Sequence, residues 1–500
     1  MQVKYNRIIK KIPPVRKSCE NVEYKIPIHQ LRKNAVKHFL EEDENSKMCP
    51  GKKDTVTKNK KKKQKRYLCD SLENLHKKYN SQASRLSLRV SYASFCRLKP
   101  FWIMQQKVSE RDTCLCVSHE NFTIMLEKLN RINIIKTKNI NDLCDSLVCD
   151  RNSQKCMYRV CDSCRDKVPV FLEFDDSDSI SYKQWLTKTE TRIIKSKEKK
   201  IKRTVKEEVI CKKKELIEKI LQAIPEFLKH IFNIYYQYKS IKFIKENLSE
   251  DELLFHVDFS ENYQCKYASE VQSVHFGASR QQISLQTGVC YYKNSSTGLL
   301  DVQSFSTASD CLRHDAAAIY AHLKIAMDNL LKNKTIKTCH VLSDGPSSQY
   351  KNKSNFYLFT QHLLPSYNIQ RGSWNFSETS HGKGAADGIG AVIKRTADAH
   401  VAKGQDIPDF YTFINKTQEL CSVPMYQVNQ SQMEEADQLL KNTLKAISGT
   451  SRTHQITWTN SNPTKIFLRE LTCLECPLDV ICKHYSIIFH DFSGFRLNKS

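Results

Sequence analysis

The sequence predicts an α/β protein, and three segments carry that expectation. LLFHVDFSENY around Asp258 and HVLSDGPSSQY around Asp344 are short apolar runs that end in an aspartate, the pattern of strands buried within a sheet. WNFSETSHGKGAADGIG, which holds Glu378 and Asp387, reads as a strand passing through a glycine loop into a helix. Before them, ELIEKILQAIPEFLKHIFNIYYQYKSIKFIKENL places apolar residues at helical intervals.

The 500 residues divide in order. Residues 1–66 are polar and basic, with an amphipathic stretch IHQLRKNAVKHFLEE and a dense run TKNKKKKQKR at 57–66, and predict a poorly ordered arm with a nuclear-import signal. In 67–170, RYLCDSLENLHKKY and SYASFCRLKPFW predict short helices that lead into a cysteine-rich, zinc-binding region. Residues 171–249 predict a helical region opening at DSDSISYKQW, with a second basic run at 195–219 and a kink or break at Pro225. Residues 250–420 carry the acids, and 421–500 predict a tail with one helix, MEEADQLLKNTLKAI, and a CxxC segment.

No N-terminal apolar signal precedes the charges, and no apolar run approaches the roughly 20 residues of a membrane helix. The expectation is a soluble intracellular chain whose 20 cysteines stay reduced. Reduced cysteines in clusters point to metal. CLCVSHE supplies Cys114, Cys116 and His119, followed by Cys144 and Cys149 and then by Cys156, Cys161 and Cys164 in CMYRVCDSC. Cys161-x-x-Cys164 has the knuckle spacing of tetrahedral Zn²⁺, and the others would complete one or two structural sites. The competing reading is a set of small buried core residues. Cys473, Cys476, Cys482 and His484 form a weaker candidate, because VICKHYSIIF also reads as a strand.

Separate carboxylates brought together on rigid elements suit Mg²⁺ or Mn²⁺, which take oxygen ligands and can be held in pairs across a phosphodiester. Asp258, Asp344 and a third acid therefore point to phosphoryl transfer on nucleic acid. Gly382, Gly384, Gly388 and Gly390 mark close backbone approach beside that third acid, although HGKGAADG lacks the spacing of a nucleotide-binding P-loop. Glu261 reads as a loop salt-bridge partner and Asp310 as a helix N-terminal residue. The net charge of +25 agrees with a polyphosphate partner without requiring one.

From HVDFSENYQCKYASEVQSVHFGASRQQISLQTGV, through FSTASDCLRHDAAAIYAHL and SDGPSSQYKNKSNFYLF, to WNFSETSHGKGAADGIGAVIKRTAD, the chain resembles the catalytic region of transposase-like proteins of animal DNA transposons. The resemblance implies a ribonuclease-H-like mixed sheet flanked by helices, with acids at the ends of the first and fourth strands and on a following helix. It gives the first two roles to Asp258 and Asp344, each a ligand of a pair of Mg²⁺ or Mn²⁺ ions. Glu378, 34 residues after Asp344, has the spacing of some transposases, whereas Asp387, 43 after, heads a helix. Helical placement favours Asp387. His381 either approaches the scissile phosphate or bonds backbone in its loop, and Lys383, Lys394 and Arg395 are the candidate DNA contacts. The resemblance implies a nuclear protein that binds double-stranded transposon ends, oligomerises, and cleaves and transfers strands. A catalytically silent DNA- or chromatin-binding derivative is the alternative.

Overall fold

The protein is described here by a computed structural model that covers residues 27–493 apart from 43–44, 49–54, 69–71, 84–85, 105–115, 195–196, 272–279, 333, 379–383 and 441–443. Its first helix, α1 (Ile28–Glu41), is followed by β1 (Ser46–Met48), the hairpin β2–β3 (Thr55–Lys58, Lys61–Gln64) and β4 (Arg66–Leu68). Helices α2 (Leu72–Gln82) and α3 (Tyr92–Leu98) and strand β5 (Ile103–Met104) complete this unit. The open arm expected over 1–66 is corrected for 27–66. Val36, Phe39 and Leu40 of α1 are buried with Leu75, Tyr79 and Phe95, and the lysine run forms β2, turn and β3. Asn59 and Lys60 take positive φ there, as a two-residue hairpin turn requires. High charge density alone misled, because Trp102 receives Lys37 and Lys63 at 5.7 and 5.6 Å from its ring centre.

The cysteine-rich region holds α4 (Val117–Arg131), α5 (Ile140–Leu147) and the short α6 (Gln154–Met157). A long antiparallel ribbon follows, β6 (Ser179–Ile194) against β7 (Lys197–Lys212), and runs into α7 (Lys213–Glu246). The helical reading of 171–212 is thus overturned. Ile180 and Tyr182 alternate with exposed positions and face Val209 and Cys211 across the ribbon, a period of two that the interspersed lysines and glutamates concealed. Asn121 of α4 pins β6 by bonding both the N–H and the C=O of Trp185, at 2.8 Å each. Helix α7 continues unbroken through Pro225. Its first half packs on α4 in the core of the cysteine-rich region, while Gln237 bonds the carbonyls of Phe376 and His454 at 2.9 and 3.4 Å.

Beyond α7 lie β8 (Glu252–Gln264), β9 (Gln282–Lys293), β10 (Leu300–Ser309), α8 (Ala316–Leu330), β11 (Thr338–Ser343), a helical segment α9 over 353–366 with a π-helical middle Leu358–Leu363, and β12 (Arg371–Phe376). Then come α10 (Ala385–Val401), α11 (Phe410–Leu420), β13 (Met425–Gln427), α12 (Gln430–Leu439), β14 (Gln455–Thr459), β15 (Lys465–Arg469) and β16 (Ser486–Asp491). Nine strands form one mixed sheet in the order β13-β10-β9-β8-β11-β12-β14-β15-β16. Strand β9 runs antiparallel to β8 and β10, whereas β8, β11 and β12 are parallel neighbours. On one face α8 and α9 bury Ile319, Leu323, Phe356 and Phe359 against Phe255, Val341 and Trp374. On the other, Ile389 and Ile393 of α10 and Phe410 and Phe413 of α11 cover Leu254, Leu285 and Val289. Buried on both faces, β8 needs its near-continuous apolar run.

Two further expectations change. The predicted tail 421–500 supplies four strands of this sheet, because β14 pairs with β12 and extends it outward. The cap of α8 is Asp315, whose carboxylate accepts the Ala318 N–H at 3.1 Å, rather than Asp310. No helix of the described residues is long and apolar enough to cross a membrane.

Candidate active site and metal centres

Parallel pairing of β8 with β11 sets the first two acids. His256 lies opposite Leu342, so Asp258 and Asp344, each two residues further on, reach the same end of neighbouring strands. Asp258 also faces Thr287 of β9, and the Thr287 hydroxyl donates to the Ala386 carbonyl at 2.9 Å in the first turn of α10. Asp387 is the next residue. Its carboxylate accepts the Gly384 N–H at 2.7 Å, which fixes it at the head of the helix, where a negative charge is favoured. Two glycines permit the approach: a Cβ on Gly390 would lie 2.5 Å from the Ser260 hydroxyl, and one on Gly384 would lie 2.5 Å from the His256 ring.

Electrostatics shows the convergence. Burial, then the charges of Asp344 and Asp387, push the Asp258 carboxyl up to about 8. Burial and Asp387 push Asp344 up to about 6, against the opposing pull of Lys351. Asp344 Oδ1 is buried and accepts no hydrogen bond from a described residue. Three half-buried carboxylates acting on one another, with one buried unsatisfied oxygen among them, are an oxygen donor set that fits a hard divalent cation. Sequence reasoning missed two neighbours, Tyr350 and Lys351. The Tyr350 hydroxyl is raised far above its usual range by burial and by both aspartates, and Lys351 is lowered to about 8 by burial despite Glu378 and Asp344 nearby. Their signal was position alone, directly after SDGPSSQ.

Glu378 turns elsewhere. Its Oε1 lies 3.4 Å from His230 Nδ1 and its Oε2 3.0 Å from His454 Nε2. Burial raises its carboxyl, but the two histidines outweigh that and hold it well below the usual carboxylate range. It exerts no resolved influence on Asp258 or Asp344, whereas Asp387 raises both. His381 and Lys383 lie outside the described residues. Lys394 donates to the Glu261 carbonyl at 3.1 Å, and burial lowers its ammonium group although Glu261, Asp387 and Asp398 oppose this. Arg395 is exposed on α10, with its Nε on the Ala391 carbonyl at 3.1 Å.

Three groups of side chains could hold a zinc ion, the ligand atoms of each lying within 4.8 Å of one another. The first is Cys149, Cys156, Cys161 and Cys164. Arg159, at φ 60°, clamps this loop by donating to the carbonyls of Leu147, Cys164 and Lys167. The Cys161 thiol is lowered to about 7 by hydrogen bonds from the Ser163 backbone and from Cys164 and Cys156. Cys144 is not in this group; it sits on α5 in the apolar core with Leu143 and Leu147, a correction to its reading as a ligand. The second is Cys473, Cys476, Cys482 and His484, in the loop between β15 and β16, where the Cys476 and Tyr485 N–H groups point at the Cys473 and Cys482 sulfurs at 3.4 and 3.2 Å. The third joins Cys116 and His119 to His230 of α7, a histidine that sequence reasoning passed over inside an amphipathic helix. Cys114 lies outside the described residues.

Three family models match the chain, each described only as a domain of unknown function: DUF8699 over 27–107, DUF8700 over 117–228 and DUF8701 over 237–469. No curated protein and no solved structure matches.

Proposed function

We propose that this chain is a transposase-like protein that cleaves and joins double-stranded DNA with a pair of divalent cations on a ribonuclease-H-like core. The observation that carries the reading is the convergence of Asp258, Asp344 and Asp387, from two parallel strand ends and the head of α10, with Asp344 and Asp387 both raising the Asp258 carboxyl and Asp387 raising that of Asp344. The strand order β10-β9-β8-β11-β12, with only β9 reversed, supports the core architecture: β8 and β11 are then its first and fourth strands and carry acids at their ends.

In this reading Asp258 and Asp344 would hold Mg²⁺ or Mn²⁺ between them, and Asp387 would complete the oxygen donor set. Such ions supply activation of water or a 3′-hydroxyl and neutralise charge on the leaving oxygen. The Gly384 N–H orients Asp387, partial burial strengthens the electrostatics of the carboxylates, and Lys351 offsets part of the repulsion on Asp344. The net charge of +25, with the lysine-rich ribbon β6–β7, gives DNA a surface on which counterions can be released. Zinc at the cysteine clusters would be structural, and the reading places the protein in the nucleus.

The test is incubation of the full chain with plasmid DNA and Mg²⁺ or Mn²⁺. Cleavage should fall on the order of 100-fold in Asp258→Asn and Asp344→Asn with DNA affinity retained, because a metal ligand acts on the transition state. DNA binding by a wild type that never cleaves would replace this reading with that of a non-catalytic DNA-binding protein.

A further inference from the structure

We infer that Cys116, His119 and His230 bind a zinc ion of their own, and that Glu378 is the carboxylate that orients its histidine ligand, tying the cysteine-rich region to the edge of the acid site. Cys116 Sγ lies 3.1 Å from His119 Nδ1 and 3.4 Å from His230 Nε2. Bonds of about 2.0 Å to nitrogen and about 2.3 Å to sulfur make the edges of a tetrahedral zinc site roughly this long. The ligands come from rigid places: Cys116 caps α4, His119 stands in its first turn, and His230 sits in the middle of α7.

The outer shell is what separates this group from a chance cluster. With His230 Nε2 turned to the sulfur, its Nδ1 meets Glu378 at 3.4 Å, the arrangement in which a carboxylate fixes the tautomer of a zinc-bound imidazole. The other Glu378 oxygen meets His454, whose Nδ1 bonds the Glu470 carbonyl at 2.6 Å. Cys116 and His119 are 7% and 5% exposed, and the Glu378 side chain 11%. A dication there would face the Cys116 thiolate directly and the Glu378 carboxylate behind His230, so two negative groups oppose its charge with both histidine ligands neutral.

The tie reaches the acids through the backbone. Two residues before Glu378, β12 ends at Phe376, and the Ser377 N–H bonds the Ser343 carbonyl at 3.0 Å, next to Asp344. Glu378 is thus a positioning residue. The inference concerns metal content and stands apart from whether the acids cleave DNA.

The test is zinc per chain by elemental analysis of the full-length protein, with release by a graded chelator. His230→Ala and Cys116→Ser should each carry one ion fewer than wild type. Glu378→Gln removes no ligand and should keep the wild-type count, yet surrender one ion at about 10–100-fold lower chelator concentration. Equal zinc in wild type and His230→Ala, or a Glu378→Gln release curve that overlies the wild-type curve, would overturn the inference. Should His230→Ala fail to fold, the Glu378→Gln curve still decides.

Discussion

Asp258 and Asp344 stand at the same end of two parallel strands, and the charge on Asp344 helps hold the Asp258 carboxyl up to about 8. An unfolded aspartate titrates near 3.9, so the folded state favours the neutral form between these values. In the absence of divalent cations, this group's contribution to stability is full below about pH 4 and is lost as pH rises toward about 8.

Asp258→Asn should therefore be more stable than wild type at pH 8 without added Mg²⁺ or Mn²⁺, by on the order of 2–4 kcal/mol. The gap should narrow at pH 5, and also on adding Mg²⁺, which stabilises only the wild type. Thermal melts at both pH values check this; a gap independent of pH and of Mg²⁺ would refute the electrostatic account.

Asp387→Asn should abolish Mg²⁺-dependent cleavage while leaving DNA affinity within a few-fold, and Glu378→Gln should be milder. Asp387 has a second duty, since its carboxylate accepts the Gly384 N–H. Asparagine retains an acceptor oxygen, so the helix cap should cost well under 1 kcal/mol. A dead glutamate variant beside an active aspartate variant would reverse the assignment.

Gly390→Ala should impair cleavage more than its stability cost suggests. The added methyl would press within 2.5 Å of the Ser260 hydroxyl on β8, so α10 must move off the strand that carries Asp258. A comparison is Gly288→Ala, whose methyl would meet the Phe305 ring at 2.3 Å and should cost about 1–3 kcal/mol. Paired melts and cleavage rates separate the two.

Cys161→Ser should lose one zinc per chain and lower the melting temperature of the cysteine-rich region, because metal binding there would be folding free energy. Cys144→Ala should keep its full metal content and cost only about 1 kcal/mol of packing. Equal zinc loss in both variants would return Cys144 to the ligand set.

Local pattern and local chemistry were legible along the chain. The apolar run into Asp258 marked a strand buried on both faces, and glycines before an amphipathic run marked the start of α10 near Asp387. The Cys161-x-x-Cys164 knuckle announced a cluster by spacing alone. Period failed where charge masked it. The ribbon β6–β7 alternates Ile180 and Tyr182 with polar residues, yet its lysines and glutamates also suit a solvated helix. The run at 57–66 likewise reads as open chain until Asn59 and Lys60 close its turn.

The sequence by itself determined which residues could carry chemistry, because side-chain type and short spacing need no partner from afar. Only the tertiary structure decided which of them meet. Asp258 and Asp344, 86 positions apart, are joined by parallel strand register, and Glu378 is drawn away by His230 and His454, which lie 148 residues before and 76 after it. Long-range pairing is set by the burial of whole strand and helix faces, a property of the assembled core that no short window of sequence contains.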